Sequence, residues 1–302
     1  MIPGIVSNCW QWQLERGSAL EDLLDQALDR GFRAVELRQT CLGSFEEPEG
    51  FAPKVTALGR LADRFPDIRF DLALAFPFLG TGGFVGDPLF QAGVDAVRAL
   101  AGRFPPHLRL VDLETTGGML RGREPQAARE VARLAESLAD TGGWLSLEHA
   151  RQPWTSFIRV MGEARRLLGS RSDHLRLCYD PVNLLFASDR PDPAEVIRSL
   201  DAASLSMVHL KQFQSGAFQT SIGAGEIDWE AQISGLARHG YGGPALFEVR
   251  SGPRSGSGPL PGSCGEPEGD DSPRPNRPRS SRLSLFSWQT PIPWKRAPSD
   301  SR

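Results

Sequence analysis

Short apolar runs alternate with amphipathic windows from the first residues to about Gly252. Residues 4–10 (GIVSNCW) read as a first strand, and residues 18–31 (SALEDLLDQALDRG) as a helix. Ser18 with Glu21 three residues on forms a capping box there, and Gly31 stops the last turn. The alternation then repeats. Strands are predicted over 34–37 (AVEL), 69–75 (RFDLALA), 107–114 (HLRLVDLE), 144–149 (WLSLEH), 175–179 (LRLCY), 205–210 (LSMVHL) and 245–249 (ALFEV). Helices are predicted over 51–65, 88–104, 154–168, 193–200 and 229–239, with another opened by Pro125 and ended by Gly142 and Gly143.

Eight strands alternating with seven helices over about 250 residues predict an α/β fold of the (β/α)8 barrel type. A doubly wound sheet would carry a glycine-rich phosphate turn after its first strand, and none is present. The predicted domain is 1–251. Beyond Ser251 the composition changes: the segment 252–302 is rich in Gly, Ser and Arg and contains ten of the chain's 24 prolines. No amphipathic window is there to form the barrel's eighth helix, and such composition predicts a disordered tail. Two origins compete: a genuine flexible tail, and a shifted reading frame, since GC-rich DNA read out of frame gives this Arg/Pro/Ser/Gly mixture.

Composition narrows the function classes. A 302-residue chain with 40% hydrophobic and 24% charged residues is of globular type, and a net charge of −3 gives no basic footprint for nucleic acid or anionic membrane. No apolar run approaches the roughly 20 residues of a membrane span, so the expected location is cytoplasmic. Cys9, Cys41, Cys178 and Cys264 show no C-x-x-C spacing, which fits buried free thiols in a reducing compartment.

The candidate chemistry lies at the strand ends. Glu148, Asp180, His209 and Glu248 fall at the ends of the last four predicted strands, at intervals of 32, 29 and 39 residues. In a parallel barrel such ends converge on one rim. One acid at a strand end commonly caps a helix or pairs with an arginine; four metal-ligand types on successive strands point to a shared centre. Three carboxylates and one imidazole suit Mn2+, Mg2+ or Co2+ better than zinc, whose structural sites favour thiolates. Carboxylates flanking a metal-polarised carbonyl can remove and return a proton at the neighbouring carbon, which makes Glu148 and Glu248 the natural catalytic pair. Lys211, two residues past His209, is a candidate for binding a carboxylate or phosphate. Asn183, Glu36 and Trp10 are further substrate-binding candidates, Asn183 through its amide and Trp10 as an apolar wall.

Several segments together resemble the xylose isomerase-like barrels, a superfamily that includes sugar isomerases, ketose 3-epimerases and the endonuclease IV group. They are GFRAVEL (31–37), LE (147–148), YDPVN (179–183), VHLK (208–211), GAGEIDW (223–229) and GYGGPALFE (240–248). The resemblance spans roughly residues 5–251 and implies that Glu148, Asp180, His209 and Glu248 are metal ligands. It further implies isomerase or epimerase chemistry through an enediolate on a keto-sugar, polyol or sugar acid. The ketose 3-epimerases place Glu, His and Arg where this chain has Trp154, Asn183 and Ser215, so the substrate grip differs. Dehydration of a keto-polyol at the same site is the alternative activity, and a catalytically impaired barrel is the non-enzymatic one. Endonuclease-type chemistry needs a three-zinc cluster and more histidines than the five present. The expected partner is a small carbohydrate, with no nucleic acid or membrane, and a homo-oligomer is compatible with the sequence.

Overall fold

The computed structural model describes residues 1–80 and 84–249. Eight parallel strands close into a barrel: β1 (Ile2–Val6), β2 (Ala34–Arg38), β3 (Arg69–Ala75), β4 (His107–Val111), β5 (Trp144–Glu148), β6 (Leu175–Tyr179), β7 (Leu205–Leu210) and, after a small hairpin of β8 (Phe213–Gln214) and β9 (Ala217–Phe218), β10 (Pro244–Phe247). Their order around the barrel is β1-β10-β7-β6-β5-β4-β3-β2. The predicted barrel is therefore present, with helices Leu20–Asp29, Val55–Arg64, Pro88–Leu100, Glu124–Ala139, Trp154–Leu168, Pro193–Ser199 and Trp229–Arg238 following successive strands. The barrel lies within one compact unit, Met1–Arg254. The expected tail over 252–302, the absent eighth helix and Cys264 lie outside the described residues.

The main core lies between barrel and helices, where Leu24, Leu37, Leu72, Phe90 and Phe157 are fully buried. Burying such side chains contributes roughly 1.5–3 kcal/mol each. The barrel interior is different. It holds a smaller apolar cluster of Val6, Ala34, Cys178, Met207 and Leu246, together with the charged side chains of Glu36, Asp71 and Arg109, all buried. Gly4 on β1 keeps this interior narrow: a Cβ there would lie 2.2 Å from Leu246 and 2.6 Å from the Ala34 carbonyl.

Several expected boundaries move, each for a local reason. β1 ends at Val6, and Ser7–Trp10 form a 3-10 turn, because Ser7 Oγ accepts the Arg38 N–H and Cys9 Sγ donates to the Phe247 carbonyl. The capping box at Ser18 does not form; the helix starts at Leu20 behind Ala19 with no side-chain cap. The helix expected from residue 51 begins at Val55. Phe51 has φ 53°, and Pro53 disfavours helical backbone at the residue before it. β4 stops at Val111 because Asp112 turns the chain, accepting the N–H groups of Leu79, Glu114 and Thr115. Glu114, expected to end that strand, is exposed instead. Cys41 and Cys178 are free thiols and buried, as expected, and Cys9 is buried too. Among the described residues no helix is long and apolar enough to cross a membrane.

Candidate metal centre

The four strand-end residues converge. Glu148 is the last residue of β5, Asp180 follows β6, His209 lies in β7, and Glu248 follows β10. Each offers one ligand atom, and the four atoms lie within 4.8 Å of one another. Chain chemistry fixes each position. Asp180 Oδ1 caps the short helix Pro181–Leu184 through the Val182 and Asn183 N–H groups, leaving Oδ2 for the centre. The Glu248 N–H donates to the Leu210 carbonyl, extending the β10–β7 ladder by one residue.

His209 is fully buried, and its Nδ1 makes no hydrogen bond. Around that nitrogen stand Glu248 Oε2 at 3.1 Å, Glu148 Oε1 at 3.5 Å and Asp180 Oδ2 at 3.9 Å. An orphaned buried nitrogen facing three carboxylates is costly unless a cation fills the gap. The donor set fits a divalent ion held by three carboxylates and Nδ1.

The charges around this cluster perturb every member. Burial would raise Glu148, but Arg109 and His209 outweigh it and hold the carboxyl down at about 2. Burial raises Asp180 to about 6, with Glu148 and Glu248 adding to it and Lys211 opposing. Glu248 is held well below its ordinary value: burial opposes the shift, and Lys211 and His209 drive it. Lys211 is raised because Asp180 and Glu248 outweigh its burial. Its ammonium pairs directly with Asp180 and lies 3.1 Å from Glu248 Oε2. The Cys178 thiol, 3.5 Å from His209 Nε2, is pushed up to about 12 by burial and stays protonated.

The expected substrate contacts divide. Asn183 stands at the cluster, its Nδ2 donating to Glu148 Oε1 at 2.9 Å and to the His149 carbonyl at 2.8 Å. Lys211 is there too. Trp10 and Glu36 are both buried. The Trp10 indole packs in the core, where with Cys9, Leu23 and Ala27 it lines a cavity beside β1. Glu36 is completely buried inside the barrel, with its oxygens against Arg109 and His209, so it has no surface to offer a substrate. His149 is buried too, its ring between Trp154 and Phe157 and its Nε2 at the Gln152 carbonyl. Asn8 and Arg109 escaped the sequence reading. Asn8 Nδ2 donates to Glu248 Oε1 at 3.1 Å, and Arg109 Nη1 contacts Glu148 Oε2 at 2.7 Å. The signal for Arg109 was a lone charge in the apolar run HLRLV.

Beyond β7 the chain forms a hairpin whose turn residues Ser215 and Gly216 take positive φ values of 53° and 80°. Phe213 and Phe218 of the hairpin and Phe186 from the β6 side form an aromatic triad with centroids 5.1–6.0 Å apart. Lys211 Nζ lies 5.7 Å from the Phe218 ring, which sets this wall beside the ligand cluster. Buried Gln212 clamps the loop base, its Nε2 donating to the Gly223 and Ile227 carbonyls and its Oε1 accepting from the Phe213 and Ile227 N–H groups. Gly225 is required there, since a Cβ would sit 2.2 Å from Gln212.

The sequence matches the family model described as xylose isomerase-like TIM barrel over residues 91–268. No curated protein matches. Among solved structures, the IolI protein with a bound zinc atom superposes with a TM-score of 0.58 at 15% identity, covering 82% of this chain and 89% of that one. L-ribulose 3-epimerase gives 0.57 at 20% identity, with 83% and 82% covered. The probable 3-DHS dehydratase AsbF of Bacillus anthracis gives 0.58 at 13% identity, with 82% and 92% covered. At these identities the likeness is one of fold.

Proposed function

The chain belongs to the xylose isomerase-like TIM barrel family, and on that premise we propose that it is a divalent-metal-dependent isomerase or epimerase of a small keto-sugar, polyol or sugar acid. The observation that carries the proposal is the cluster of Glu148, Asp180, His209 and Glu248 around an unpartnered His209 nitrogen. Mn2+, Mg2+ or Co2+ suits its oxygen-rich donor set. The bound ion would polarise a substrate carbonyl and acidify the adjoining C–H. Glu148 and Glu248 flank the same space, from β5 and from the residue after β10, and form the pair for removing and returning that proton. Glu248, about 15% exposed against 5% for Glu148, is the more accessible of the two from the barrel mouth.

The remaining contacts orient the reacting groups. Asn183 holds Glu148 Oε1 and has an amide oxygen for a substrate hydroxyl. Lys211 offsets part of the carboxylate charge and presents an ammonium to a substrate oxyanion. The Phe186–Phe213–Phe218 triad supplies the apolar flank of the mouth.

The test joins metal analysis with solvent exchange. Purified protein should hold about one divalent ion per chain, and incubation in D2O with a panel of ketoses, keto-inositols and sugar acids should place deuterium beside the carbonyl of the substrate. Glu148→Gln should abolish the exchange. A chain that takes up no divalent ion, or exchanges with no member of a broad panel, refutes the proposal. Loss of water from the substrate in the same assay would assign dehydratase activity instead.

A further inference from the structure

Beneath the ligand cluster the barrel interior carries charged groups that the proposed chemistry leaves unused. Glu36 on β2, Asp71 on β3 and Arg109 on β4 all point inward and are buried. Arg109 makes a two-pronged contact with Glu36, Nε to Oε2 at 3.1 Å and Nη2 to Oε1 at 2.5 Å. Its remaining terminal nitrogen, Nη1, reaches Glu148 Oε2 at 2.7 Å. Glu36 Oε2 also lies 3.2 Å from His209 Nε2, across the barrel from β2 to β7. Asp71 stands beside Glu36 in register. Burial and the Glu36 charge raise its carboxyl well above the usual carboxylate range.

We propose that Glu36 and Arg109 are positioning residues: a buried strut that fixes the orientation and tautomer of His209 and the rotamer of Glu148, and so preorganises the metal centre. The inference rests on the metal reading above. Two constraints give the strut its effect. Glu36 accepts from His209 Nε2–H, which leaves Nδ1 as the lone-pair nitrogen facing Glu248, Glu148 and Asp180. Arg109 holds one Glu148 oxygen and Asn183 the other, so the carboxylate cannot swing away from the cluster. Glu36 also shares the Arg109 charge. Without it, that cation would rest on Glu148 alone and compete with the metal for the same carboxylate. Partners of ligating groups placed this way commonly change metal affinity 10- to 100-fold.

The experiment has two independent arms. In the first, calorimetry measures Mn2+ and Mg2+ binding to the whole chain and to Glu36→Gln, while thermal melts of both are recorded without metal. The expected result is affinity weakened about 10- to 100-fold in the folded variant. A folded variant that melts lower but binds metal within about twofold of wild type has lost only structure, and overturns the proposal. The second arm needs no variant that might misfold. Two-bond 1H–15N spectra of Mg2+- or Zn2+-loaded wild type, labelled at histidine, should show the His209 proton on Nε2 and none on Nδ1. A proton on Nδ1 removes His209 from the ligand set and brings down both readings, whereas an Nε2 proton without the low-field shift of a carboxylate-bonded N–H overturns the strut alone. Wild type that binds no divalent ion brings down the metal reading itself, and the strut with it.

Discussion

A buried carboxylate that costs stability makes a sharp test. Asp180 is buried among Glu148, Glu248 and Lys211, and its carboxyl is raised from 3.8 to about 6, chiefly by burial. An acid whose folded pKa is raised favours folding while protonated. That advantage is complete below about pH 3.8 and is lost as pH rises through about 6. At about 1.4 kcal/mol per pH unit between the two values, ionising Asp180 in the metal-free protein costs about 3 kcal/mol. Asp180→Asn mimics the protonated form: its amide oxygen can still cap Val182 and Asn183 N–H, and its volume is unchanged. In EDTA at pH 8 the variant should therefore be more stable than wild type by about 3 kcal/mol, which is about 6–12 °C in Tm for a domain of this size. At pH 4 the difference should vanish. Urea titration followed by tryptophan fluorescence at both pH values measures it. A variant less stable than wild type at pH 8, or a difference that does not change with pH, would refute the reasoning. With excess Mn2+ the order should invert, because only wild type retains the ligand.

Metal binding should weaken on acidification. Asp180 binds a proton near pH 6, and His209 holds one well above its ordinary value, because Cys178, Glu36 and Glu148 outweigh its burial. Calorimetry in buffers of different ionisation enthalpy should show about one proton released per metal at pH 7 and about two at pH 5; no release at either pH would contradict the site. Gly4→Ala drives a Cβ to 2.2 Å from Leu246 inside the barrel and should cost about 1–3 kcal/mol or more in urea unfolding. Phe90→Ala, at a fully buried position between barrel and helices, should cost about 3–5 kcal/mol in the same measurement, with metal affinity unchanged in the folded protein.

The sequence by itself determined the architecture and the four-residue cluster at the strand ends. Periodicity of two against 3.6 marks the strands and helices, and β3, β6, β7 and the helix Trp154–Leu168 begin and end where the pattern places them. The convergence of Glu148, Asp180, His209 and Glu248 followed as well, because closing parallel strands into a barrel brings their ends to one rim whatever the intervening sequence. Element boundaries were less legible where single side chains decide them: Asp112 ending β4, Ser7 turning the chain after β1, and Pro53 delaying a helix. Only the tertiary structure decided which way the other polar groups face. Glu36 and Trp10 sit near strand ends in the sequence and were expected at the pocket; the tertiary structure buries one inside the barrel against His209 and packs the other in the core. Arg109 became readable only when closure set it against Glu36 from two strands away and Glu148 from the next, with His209 reaching Glu36 from across the interior. Those contacts span up to 173 residues, a separation at which local pattern carries no information and barrel closure supplies all of it.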